Sequence, residues 1–213
     1  MSSIITSKKI CVMCGREHHF NEVISTNAMG YMDLDTRPPM MKRSTLQYEI
    51  QMCDKCFYSN RDIETRIPGL NDDILVSPEY LHVANNDEIN PTAKAFWLAG
   101  LLQLSLANYK EAGISFLKAA WIFDDLLEND NAKLARSAAH KYLSVYVEAS
   151  EDINLAVLSV DLQRRMEDFA GASETAKQLI SYGVGDFLAK ILELEIKLCD
   201  KSDASCHNVG EVK

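Results

Sequence analysis

Four of the six cysteines in this 213-residue chain fall into two C-x2-C pairs, Cys11-Val-Met-Cys14 and Cys53-Asp-Lys-Cys56. A two-residue gap lets one tight turn aim both sulfurs at a single ion, and two such turns supply the four thiolates of a tetrahedral centre. Backbone amides in the turns can face the sulfurs and ease the charge of four thiolates around one divalent cation. Cys11, Cys14, Cys53 and Cys56 are therefore the expected ligands of one structural metal ion per chain. Zinc is the favoured occupant, being redox-inert and the commoner structural ion in a reducing cytosol, although iron uses the same ligand set. A redox role would need a C-x2-C opening a helix between strands, and neither pair has that setting. Gly15 suits the positive φ that ends such a turn, whereas Phe57 holds the matching place after Cys56. His18 and His19 follow closely, but with four thiolates at hand they are expected at the surface or behind the ligands.

These turns need strands to carry them. Thr45 to Met52 alternates apolar Leu46, Tyr48, Ile50 and Met52 with polar neighbours, which predicts a half-buried strand running into the second pair and a ribbon hairpin. The 38 residues between the pairs exceed what a ribbon needs. Their middle is broken by Pro38-Pro39, so an irregular loop is expected to lean on the ribbon, with Asp33 or Asp35 pairing to Arg37 or Arg43.

From Asn90 the pattern becomes helical. Asn90-Pro91 offers a cap followed by proline at the first helical position, and Thr92 to Leu106 is apolar almost all round. Five further helices are expected: Tyr109 to about Leu127, Asn129 to about Ala149, Ser150 to Met166, a helix after Asp168 ending at Gly183, and a last one from Gly185. Three antiparallel hairpins result, enough for a stacked array to bury a continuous core. Gly100, Tyr109, Ala112, Phe116 and Ala119 stand at the spacing of the tetratricopeptide repeat and resemble one divergent copy of it, with Phe96 in place of the usual Trp. Phe96, Trp97, Phe116, Trp121 and Phe123 are expected in the core at this spacing.

The expected fold is mainly α: a small β zinc-ribbon domain with an inserted loop at 1–66, a linker with a short helix at 67–90, a tetratricopeptide-like helical domain at 91–200, and a frayed acidic tail at 201–213. Charge divides similarly. Residues 1–70 hold nine Lys and Arg against eight Asp and Glu, whereas 71–213 hold thirteen against twenty-three. A segment that acidic repels a phosphate backbone, so any nucleic acid must meet the first part. There Lys8, Lys9, Arg16, Arg37, Lys42, Arg43, Lys55 and Arg61 would supply charge, and Phe57 and Tyr58 stacking faces. The longest uncharged apolar run, Ala95 to Leu102, is too short for a membrane span, and the expected location is the cytoplasm. Cys199, Cys206 and His207 are read as stray groups rather than a second metal site.

The segments Cys11-x2-Cys14-Gly15, Leu34-Asp-Thr-Arg-Pro-Pro39, Arg43-Ser-Thr45, Cys53-x2-Cys56 and Ala119-Ala-Trp-Ile-Phe-Asp-Asp125 together resemble an uncharacterised bacterial family of zinc-ribbon proteins with helical-repeat tails. The resemblance implies bound zinc and a tetratricopeptide-like domain, and brings no activity. The chain also lacks a phosphate-loop glycine motif, an H-E-x-x-H pair and a nucleophile elbow. A closed four-cysteine centre has no open position to activate water. The expected role is accordingly a non-catalytic adaptor that binds a protein or peptide through its helices; nucleic-acid binding or thiol-based redox sensing are the alternatives.

Overall fold

The computed structural model describes residues 2–212. Strands β1 (Ser3–Ile10) and β2 (Glu17–Ser25) pair antiparallel on either side of the first cysteine turn, from Ile10 opposite Glu17 out to Ser3 opposite Ser25. A second, much shorter ribbon, β3 (Gln51–Met52) with β4 (Ser59–Asn60), flanks the second turn. The strand expected over Thr45–Met52 is thus confined to its last two residues. Leu46–Tyr48 instead forms a 3-10 turn, preceded by a short helix α1 (Met40–Arg43). Leu46 and Ile50 lie four apart, one helical turn, and both are buried in the helical core, so their alternation with polar residues reflects a turn rather than a pleat.

Helix α2 (Pro78–Ala84) opens on Ser77, whose side chain accepts from the Tyr80 N–H. It belongs to no free linker. Tyr80 and Ala84 are buried with Ile67, Leu70, Cys11 and Cys53, and the Tyr80 hydroxyl donates to the Phe57 carbonyl at 2.7 Å. Helices α3 (Pro91–Ser105), α4 (Tyr109–Asp125), α5 (Asn129–Ser150), α6 (Ile153–Arg165), α7 (Phe169–Ser181) and α8 (Asp186–Asp200) follow the expected order, each packing on the next along the array. Asn90 caps α3 by accepting from the Thr92 and Ala93 N–H groups. A Cβ on Gly100 would stand 2.7 Å from the Phe116 ring, so glycine is what allows α3 and α4 to approach with that ring between them.

The core does not divide at residue 66. Leu46 and Ile50 join the α3–α6 cluster, and Cys11, Cys53 and Tyr58 pack with Leu98 and Leu102 of α3. Leu34 joins the α6–α8 cluster. The segment after α8 is held rather than frayed: Asn208 bridges Asp33, the Leu34 N–H donates to the His207 carbonyl, and Arg164 donates to the carbonyls of Asp203 and Ser205.

Candidate metal centre

Both cysteine turns have one backbone design. In the first, the Cys11 N–H donates to the Arg16 carbonyl and the Gly15 N–H to the Cys11 carbonyl; in the second, Cys53 donates to Tyr58 and Phe57 to Cys53 in the same pattern. Each turn closes on a left-handed residue, Gly15 at φ 71° and Phe57 at φ 58°. Phe57 therefore matches Gly15 in geometry, at the steric cost of a Cβ in that region. Its backbone is fixed by Tyr80, which takes its carbonyl.

The turns bring all four sulfurs within 4.8 Å of one another, with Cys11 and Cys53 buried and Cys14 and Cys56 half-buried. Cys11 and Cys56 are 3.6 Å apart and Cys14 and Cys53 3.5 Å, far beyond a disulfide bond of about 2.05 Å. A tetrahedron of thiolates around zinc, with arms of about 2.3 Å, has edges near 3.8 Å. The donor set and its spacing thus fit a tetrahedral metal ion held by Cys11, Cys14, Cys53 and Cys56. Burial pushes the Cys53 and Cys56 thiols up, above the ordinary cysteine range. At Cys14 burial is outweighed by hydrogen bonds from the Arg16 backbone and the neighbouring cysteines, and its thiol lies below that range. Four thiols this close can all ionise only around a cation, which would hold the turns together structurally and leave no coordination position for substrate.

His18 adjoins this set, and with Cys53 and Asp54 it forms a second group close enough to hold an ion. Its Nε2 is 3.3 Å from Cys53 Sγ and 3.7 Å from the Asp54 carboxylate, while His19 is exposed. Lys55 N–H also points at Cys53 Sγ, at 3.4 Å. The Lys55 N–H eases the thiolate charge as the turn's other amides do.

Of the basic residues in the first part, Lys42, Lys55 and Arg61 are exposed, whereas three of the others are paired with acids. Lys9 lies among Glu22, Asp62 and Glu64, Lys8 pairs with Glu17, and Arg16 with Asp54. Tyr58 is fully buried, its hydroxyl donating to the Thr65 carbonyl, so it offers no stacking face. At the C-terminus, Cys199 is buried and Cys206 exposed, and neither belongs to a metal-binding group among the described residues. His207 is bonded through its two ring nitrogens to Glu211 and Asp203.

The inserted loop carries a polar cluster that sequence reading placed wrongly. Arg43 does pair with Asp33, at 2.6 Å, as one of the expected pairings. The loop, however, leans on the helices instead of the ribbon. Asp35, with no exposed surface, accepts from Trp121 Nε1 and from Arg165, each at 2.8 Å, and Arg37 reaches the Trp121 carbonyl and Asp125. Trp121 is a core residue, as expected, but its indole N–H serves the loop. Separations of 86 and 130 residues hide these partners from any local pattern.

No curated protein and no solved structure matches the chain. A family model does, over residues 5–195, spanning both cysteine turns, the inserted loop and the helices through most of α8. The chain belongs to the family described as "Uncharacterized protein conserved in bacteria (DUF2225)".

Proposed function

We propose that this protein is a non-catalytic, cytoplasmic adaptor in which one zinc ion locks the two cysteine turns onto α3 and the helical array receives a protein partner. The zinc part rests on the four sulfurs and on their burial against Tyr58, Leu98 and Leu102, which makes the ion part of the core. The partner part is carried by one observation. A groove of about 290 Å³ opens on the array, lined by Ile89, Trp97, Phe123 and Leu134, and Leu134 keeps 60% of its surface exposed. An apolar groove walled by aromatics on a rigid helical scaffold suits the anchor side chains of an amphipathic segment.

Two measurements test this reading. Elemental analysis of protein purified without added metal should find one zinc per chain, with four thiols that react only after a chelator is added; metal-free protein with free or disulfide-linked cysteines would move the reading to redox chemistry. A photoreactive residue at position 134 should crosslink a saturable partner in lysate of the source cells, and Trp97→Ala should abolish that crosslink. Crosslinks that never saturate would remove the adaptor reading while leaving the zinc reading in place.

A further inference from the structure

A second concave site lies away from the cysteines. It is a cleft of about 680 Å³ between the Arg37–Arg43 loop, the ends of α4 and α6, the start of α5 and the Ala204–Cys206 segment. Five cations line it, Arg37, Arg43, Lys133, Arg136 and Arg165, against three carboxylates, in a chain of net charge −9. The side chains of Arg37, Arg136 and Arg165 are all more than nine-tenths buried. Behind the lining, Asp125, Asp33 and Asp35 hold Arg37, Arg43 and Arg165 in place. The acceptors still fall short of the donors. Asp124 takes both Arg136 and Arg165 on one oxygen, Oδ2, and the Nε–H groups of Arg37, Arg136 and Arg165 have no acceptor among the described residues. Those Nε groups are enclosed and out of a ligand's reach, but among the described residues the Nη1 groups of Arg37, Arg43 and Arg136 also carry no hydrogen bond and are not enclosed, so three guanidinium donors are open to an acceptor from outside the chain. Burial, and next the charge of Arg165, pull Arg136 below the usual arginine value, a strain that an entering anion relieves. The start of α5 adds to this: Asn129 and Asp130 line the cleft, and no side chain caps that 22-residue helix.

We propose that this cleft binds a small phosphate-bearing ligand. A tetrahedral phosphate offers oxygens to several guanidinium forks at once, whereas the planar carboxylate geometry is already supplied by Asp124, Asp35 and Asp33. The volume falls within the range of about 300–1,000 Å³ found for small-molecule sites.

The test is a titration of the zinc-loaded full chain at low salt with inorganic phosphate, and in parallel with malonate, followed through the arginine Nε–H resonances. The expected result is a saturable shift of the Arg37, Arg43 and Arg136 signals by phosphate, with malonate at least about 10-fold weaker. Arg136→Lys keeps the charge and loses the fork, and is expected to weaken phosphate about 10-fold. Lys133→Ala, which removes a half-exposed cation whose partner Glu167 is at the surface, leaves the fold intact and is expected to weaken it about 3-fold. The proposal is overturned by no saturable shift up to about 10 mM phosphate, by malonate binding as tightly, or by Lys133→Ala leaving the affinity unchanged.

Discussion

Two polar clusters fasten the N-terminal 66 residues to the helices. At one, four sulfurs from two turns meet beside Leu98 and Leu102 of α3. At the other, Asp35 enters the helical core and meets Trp121 of α4 and Arg165 of α6. The sulfur cluster gathers groups of one kind, with backbone amides but no cationic side chain bonded to the sulfurs, so on the proposed reading its cohesion comes from a cation taken up from solution. The Asp35 cluster contains both signs of charge and an indole donor, so its cohesion needs no metal ion. On the zinc reading proposed above, the first fastening is conditional on metal, whereas the second is built from the chain's own groups.

The largest test of that contrast is metal removal. Chelation should cost about 10 kcal/mol of binding energy and abolish the near-ultraviolet signal of Tyr58 and Tyr80, while the far-ultraviolet helix signal survives through the Asp35 fastening. Loss of the helix signal as well would mean that the two clusters are not independent. Next in size, Asp35→Ala should cost about 3–5 kcal/mol in urea unfolding, because it leaves Arg165 and the Trp121 indole buried without that acceptor. The zinc content should be unchanged, and Asp35→Asn, which keeps an acceptor for the indole, should cost less.

A third buried group sharpens the comparison through pH. Arg164 lies between Asp161 and Glu195, all three buried, with each acid 2.6 Å from the guanidinium. Burial, and then the charge of Asp161, push Glu195 up to about 8 from an ordinary 4.5. The folded chain then keeps a proton that the unfolded chain gives up, so stability is full below pH 4.5 and declines as the pH rises towards 8. Glu195→Gln should flatten that decline, and a decline equally steep in the variant would exclude Glu195 as its source. The smallest effect compares the two cysteine turns. Gly15 has no atom within 4 Å of a Cβ position, so Gly15→Ala should cost only about 1 kcal/mol, the price of a left-handed alanine, in denaturant titration of the zinc-loaded protein. Phe57→Gly relieves the same strain but loses the packing of a half-buried ring, so its net change should be smaller than that of Phe57→Ala.

The features legible along the chain are those whose information is local. Two residues between cysteines dictate a turn that aims both sulfurs one way, and the 3.6-residue period of apolar side chains marks six helices in order, because both depend on neighbours within a few positions. Gly100 and Phe116 were legible for a similar reason, as their spacing belongs to a repeating helical hairpin. The pattern failed where one period imitates another. Leu46 and Ile50 satisfy a strand and a turn equally, and only packing against α3 and α4 chose the turn. Tertiary structure alone decided where the charged groups went. Asp35 accepts from the Arg37 backbone N–H two positions away, but its charge partner is Arg165 with the Trp121 indole beside it, because a buried carboxylate needs several donors at once and the distant helices supply the rest. The held C-terminal segment arises in the same way, as does the Arg165–Asp124 contact of the arginine cleft, from groups 39 and 41 residues apart whose meeting no spacing in the chain records.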